Sequence, residues 1–108
     1  MNTDIDIQKI EELKELFQSD FDKQLNIFLD NTQSYLGKIE ISLKENDYAN
    51  VREIAHKIFA GTAQYGAILV SQLARELEYS DEKILSAAGD KMLTRMKEEF
   101  EKYRTFIS

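Results

Sequence analysis

Histidine occurs once in this chain, at position 56, and cysteine does not occur. One imidazole is therefore the best nucleophile on offer near pH 7, since its unperturbed pKa of about 6.5 leaves a ring nitrogen free. The same count closes other routes. Without a thiol there is no disulfide framework, no thiolate zinc site and no cysteine nucleophile. Glu53 stands three residues before His56, and Glu-x-x-His is half of a di-iron bundle signature. The other half needs a second histidine on another helix, so that centre is excluded. No Gly-x-Ser-x-Gly elbow and no glycine-rich phosphate loop is present.

The residues around His56 follow helical spacing. At about 100° per residue, Val51, Ile54, Ala55, Ile58, Thr62 and Tyr65 fall within roughly 60° of one direction, which must face a core. His56 points about 140° away from it. Its neighbours on that outer side are Ala49, Arg52 at i−4, Phe59 at i+3, Ala60 at i+4 and Ala63 at i+7. Other helices of the chain carry lysine and glutamate on such a face. Here an imidazole stands among small residues, with an aromatic flank and a cation. Spacing alone leaves two readings open: a solvated histidine on an alanine-tolerant helix, or a reactive group left accessible to a partner.

The elements that position this face are helices. The chain has 108 residues, four glycines, no proline and 31% charged residues, which suits helix better than sheet. Apolar residues recur every three or four positions, and no strict alternation persists. A first short helix carries Ile7, Ile10, Leu13 and Phe17. Ser19 and Asp20 offer an N-cap for a long second helix that buries Phe21, Leu25, Phe28, Leu29, Thr32, Leu36, Ile39 and Leu43, with Gly37 inside it. Asp47 caps a third helix ending near Tyr65, where Gly66 is placed to stop it. A fourth runs from about Ala67 to Glu78 and buries Leu69, Val70, Leu73 and Leu77. Ser80 and Asp81 open the last, with a stripe of Leu85, Ala88, Met92, Met96, Phe100, Tyr103 and Ile107; Gly89-Asp90 is a possible break. The expected fold is all-α, a single domain over residues 1–108: an antiparallel up-down four-helix bundle with a short N-terminal helix across one end.

Charge narrows the partners. With 14 basic and 20 acidic residues, the formal net charge is −6. That balance argues against nucleic acid and against an anionic membrane surface. The longest apolar stretch, Tyr65 to Val70, is far shorter than the roughly 20 residues of a membrane span. The acidic start, Met-Asn-Thr-Asp-Ile-Asp, has no apolar run of a signal peptide. A cytoplasmic protein is expected.

The segment Ala55-His56-Lys57-Ile58-Phe59-Ala60-Gly61-Thr62-Ala63-Gln64-Tyr65-Gly66-Ala67 resembles the signature of histidine phosphotransfer (HPt) domains, the phosphorelay carriers of two-component signalling. That pattern pairs alanine with histidine, places an aliphatic residue two positions later, and then has lysine, glycine and small residues. An apolar or aromatic residue and a glycine follow nine and ten positions after the histidine. Ala55, His56, Ile58, Thr62, Ala63, Tyr65, Gly66 and Ala67 keep it. The long preceding helix, the Asn46-Asp47 turn, the leucine-rich helix ending in Leu77-Glu78 and the Met96-Lys97-Glu98-Glu99-Phe100 stretch are also similar. Two positions depart: Phe59 stands where the family has lysine, and Ala60 where it has glycine.

The resemblance implies a carrier that accepts a phosphoryl group on His56 and exchanges it with an aspartate of a response-regulator receiver domain. A sensor histidine kinase is a further implied partner. No intrinsic kinase site is visible, so the chain reads as a carrier, not an autonomous enzyme. Arg52 and Gln64 are the candidates for stabilising the phosphoryl group, Arg52 in place of the absent lysine; Gln64 alternatively lines the rim. Glu53 offers to orient a water or the ring. Phe59, Ala60, Ala63 and Lys57 are expected to meet the partner, with Phe59, on the boundary of the buried arc, alternatively tucked under a neighbouring helix; Gly61 and Gly66 are expected to be structural. No metal or cofactor is expected on this chain, since Mg²⁺ belongs to the receiver's acidic pocket, and a monomer is expected. The alternative is a degenerate helical adaptor that binds a signalling partner without phosphotransfer.

Overall fold

A computed structural model of the chain describes residues 4–107; residues 1–3 of the acidic start and Ser108 lie outside it. Helix α1 spans Ile7–Phe17, α2 Phe21–Lys44, α3 Tyr48–Gln64, α4 Ile68–Glu78 and α5 Glu82–Ile107. Helix α2 packs on α3 and α5, and α4 packs on the same two, so the four longer elements close a ring around one core. Short turns make successive helices antiparallel. The expected bundle is the observed one.

Local chemistry explains the boundaries. The Asp6 carboxylate accepts from Lys9 N at 3.1 Å and starts α1. Asp47 caps α3 through Asn50 N at 3.2 Å, and Asp81 caps α5 through Ile84 N at 2.9 Å. Between α2 and α3, Asn46 adopts φ 57° and Asp47 N bonds Ser42 O at 2.8 Å. Between α3 and α4, Gly66 takes φ 74° and Ala67 N bonds Thr62 O at 2.9 Å, a Schellman-type ending. The expected Ser19/Asp20 cap is different: a 3₁₀ turn over Gln18–Asp20 leads directly into α2, and Asp20 makes no capping bond.

Two further expectations are corrected. Ile7 was expected to lie in the core, yet it is 51% exposed, and Ile5 is buried in its stead. Ile5 lies in an extended segment that pairs with Ala67, while Asp6 N bonds Gly66 O at 2.8 Å. This contact joins residues some sixty positions apart, which helical periodicity cannot show. Gly89-Asp90 does not break the last helix. Gly89 is buried where α5 approaches α2, and a Cβ there would sit 2.7 Å from Leu43 Cδ2.

The glycines give opposite expected outcomes. A Cβ on Gly66 would meet Asp6 O at 2.6 Å, and its backbone is left-handed. Gly66→Ala is expected to cost about 1–2 kcal/mol from conformation alone, with the clash adding to it. Gly37 has nothing within 4 Å of such a Cβ, so Gly37→Ala should stabilise α2 by about 0.5–1 kcal/mol. Chemical denaturation of both variants checks the pair.

Aromatic residues close the bundle end where α3 finishes. Phe28 stacks on Tyr65 at 4.2 Å and meets Tyr103 edge-on at 6.1 Å. The buried Tyr103 hydroxyl donates to Tyr65 O at 2.6 Å. Burial, with a smaller contribution from Tyr65, pushes the Tyr103 hydroxyl well above the ordinary tyrosine range. A raised folded-state pKa means the contribution to stability is whole below the unfolded value of about 10. It is lost as pH climbs from there through the folded value. Tyr103→Phe is expected to cost about 1–3 kcal/mol at neutral pH, because it orphans a buried carbonyl. The variant should also lose less stability than the parent chain above pH 10, which denaturation at two pH values measures.

Candidate functional site

His56 occupies the middle of α3, on the side that α4 flanks. Because α3 and α4 run antiparallel about the Gly66 turn, their facing residues pair in steps of one helical turn. Arg52 Nη1 reaches Ser80 O at 3.5 Å. His56 Nδ1 lies 2.6 Å from Glu78 Oε2 and 3.1 Å from Oε1. One turn further along, the Arg75 guanidinium lies over the Phe59 ring, 4.5 Å from its centroid. The site is thus a strip of three rungs between α3 and the α4 helix with the turn that follows it, with the histidine in the middle.

The central rung fixes the ring. An ionised carboxylate only accepts, so Nδ1 carries the proton it shares with Glu78. In the neutral imidazole Nε2 then keeps its lone pair. The His56 side chain is 65% exposed and that of Glu78 only 15%. The carboxylate is held against the bundle while the imidazole stands out from it. A carboxylate on one ring nitrogen orients the other and balances positive charge that develops on the ring.

The other predicted residues fall into place around this strip. Ala60 is exposed and Ala63 half-buried, so the surface next to His56 is low. Phe59 is half-buried and packs against the core, with its outer face covered by Arg75. Lys57 faces the other flank, lining a groove against α2 with Gln24, Ile27, Asn31 and Tyr35. Gly61 lines the same groove, and a Cβ there would meet Phe28 only at ordinary contact distance, 3.5 Å. Gly66 makes the turn that sets the α3–α4 pairing. Gln64 is exposed at the end of α3, about 12 Å along the helix axis from His56. That places it on the rim, away from a group carried by the ring. Glu53 is exposed, and it is Glu78 that bonds the imidazole.

Glu78, 22 residues from His56, was not singled out as a site residue from the sequence. The signal was available in the turn. If α3 and α4 fold back about residue 67, position 56 faces 78 and position 59 faces 75. Among the described residues there is no cluster of three or more acidic or histidine side chains placed to hold a metal ion. Nor is any described helix long and apolar enough to cross a membrane.

Comparison with known proteins agrees with this geometry. The Hpt domain family model matches residues 23–105. That range covers α2 almost entirely and all of α3 and α4. The crystal structure of histidine-containing phosphotransfer protein B (HptB) from Pseudomonas aeruginosa PAO1 superposes with a TM-score of 0.92 at 22% identity. The match covers 98% of this chain and 92% of that one, which establishes the shared fold. No curated protein matches the sequence. On the family match and the bundle it describes, the chain belongs to the Hpt domain family, the histidine phosphotransfer carriers of phosphorelay signalling.

Proposed function

We propose that His56 is the phosphoryl acceptor and that it exchanges the group with an aspartate of a response-regulator receiver domain. The observation behind this is the orientation of the ring: Nδ1 bound to Glu78 at 2.6 Å, with the imidazole 65% exposed. Nε2 attacks the phosphorus of the receiver's aspartyl phosphate. The N–P bond forms as the bond from phosphorus to the carboxyl oxygen breaks, and aspartate leaves as carboxylate. Nδ1 keeps its proton, and Glu78 balances the charge of the ring. The reverse step passes the group to an aspartate.

Phosphoryl transfer consists mainly of positioning and charge neutralisation. In this reading the acidic pocket and its Mg²⁺ are the receiver's, so one well-held histidine is sufficient here. The low surface at Ala60 and Ala63 lets the receiver approach the ring. Lys57 meets it on one flank of α3, Phe59 lies on the other beneath the Arg75 guanidinium, and Gln64 meets it at the rim. Arg52, one turn before His56, adds positive charge beside the incoming group while it is braced on Ser80 O. A sensor histidine kinase is the further partner in this reading.

The test is to incubate the chain with a phosphorylated receiver, or with a kinase and receiver together. Label that is acid-labile and alkali-stable is expected on the chain, as a phosphohistidine requires. Labelling by none of a panel of receivers, in the presence of measurable binding, would favour the adaptor reading instead.

A further inference from the structure

The third rung of the strip has an arrangement that the fold alone does not call for. Arg75 is exposed, and its guanidinium lies within reach of two aromatic rings, 4.5 Å from the Phe59 centroid and 5.3 Å from that of Tyr79. Phe59 comes from α3 and is seated on the core; Tyr79, four residues after Arg75, is 73% exposed. An arginine on an open helix face usually samples many rotamers, whereas contact with two rings holds a guanidinium in place. Phe59 is one turn from His56, about 4.5 Å along α3. Arg75 is likewise one turn from Glu78, which binds the imidazole. The cation therefore lies one rung along the strip from the imidazole.

Its charge is not otherwise spent. Glu78 is engaged by His56, and Arg52, the other guanidinium of the strip, is directed at Ser80 O. Glu76 lines the same shallow groove as Phe59, Arg75 and Tyr79, but no ion pair forms between Glu76 and Arg75 among the described residues. A group that gains a phosphoryl dianion needs positive charge nearby, and a planar guanidinium is suited to phosphate oxygens.

We propose that Arg75, held by the Phe59 and Tyr79 rings, supplies the positive charge that neutralises the phosphoryl group carried by His56. This deepens the His56 reading and rests on it. The experiment uses phosphoramidate, a small N–P donor that needs no partner surface, on the parent chain and on Arg75→Gln, Arg75→Lys and Phe59→Leu. Two quantities are read: the rate at which phosphohistidine forms, and the pH midpoint of the phosphoryl group's ³¹P titration. Removing a neighbouring cation makes the second ionisation harder, so the midpoint must rise.

For Arg75→Gln the rate is expected to fall about twofold to fivefold, the size an exposed ion pair supports. The midpoint is expected to rise by about 0.3–0.7 pH units, the same factor on a logarithmic scale. Arg75→Lys should stay closer to the parent. Phe59→Leu, which keeps the bulk but removes a ring face, should shift both quantities the same way by less. A parent-like rate and midpoint in Arg75→Gln would overturn the proposal. If the parent chain forms no phosphohistidine at all, the His56 reading fails and this one with it; a normal phosphohistidine indifferent to position 75 counts against Arg75 alone.

Discussion

His56→Gln is expected to take up no phosphoryl label above background while keeping the fold of the parent chain. Both halves follow from the position of the side chain. The imidazole is 65% exposed and touches the rest of the bundle through its bond to Glu78. Glutamine has similar length, and its amide can still donate to that carboxylate, so Glu78 is not left facing an apolar gap. A surface change of this kind usually moves stability by less than about 0.5 kcal/mol. Yet an amide nitrogen has no available lone pair for attack on phosphorus. No second histidine or cysteine exists to take over. Circular dichroism and thermal melting check the first half, and the transfer assay the second. Label retained by the variant would move the acceptor to another residue.

Glu78→Ala should give the next largest change, slowing phosphoryl acceptance by about tenfold to a hundredfold, the size of loss seen when the carboxylate behind a metal-bound histidine is removed. Two losses combine. Without the carboxylate the neutral ring divides between its tautomers, and only one leaves Nε2 unprotonated. The ring also loses the negative charge that would balance the positive charge it acquires as the N–P bond forms. Glu78→Gln separates these effects, because its carbonyl oxygen can accept from Nδ1 while its charge is gone. It should fall between the parent and the alanine variant. Neither substitution touches the core, so melting temperatures should stay close to the parent. A Glu78→Ala chain that is labelled as fast as the parent would show that the bond at 2.6 Å plays no part in the chemistry.

Much of this architecture is written in local sequence. Apolar spacing marked the buried faces of α2 and α3 residue by residue, because each helix buries one stripe and that stripe has a fixed period. Asp47 and Gly66 marked the ends of α3 because capping and left-handed backbone are local demands. What escaped depends on contacts distant in the chain. Ile5 replaces Ile7 in the core because the N-terminal segment pairs with Ala67. Gly89 looks like a helix break and is instead a close approach to Leu43.

The site divides the same way. The helical wheel alone put His56 on the outside, at a low surface, and the side chain is exposed. Its environment was less legible, since it is assembled from two helices. Phe59 read as an apolar residue in a position where similar domains carry lysine; in the fold it is the support for a guanidinium from α4. Arg52 stood near His56 by spacing, and its bond to Ser80 O emerged only from the packing of α3 along α4 as far as the turn that follows it. Glu53 lay nearest in sequence, but the carboxylate on the ring came from the far side of the turn.

The central claim is that Glu78 holds Nδ1 so that Nε2 of His56 takes the phosphoryl group. Nitrogen-15 and phosphorus-31 NMR of the phosphorylated chain tests it most directly. One N–P bond is expected, at Nε2 of His56, with Nδ1 still protonated and hydrogen-bonded to Glu78. A phosphoryl group found on Nδ1, or on any residue other than His56, would contradict the account.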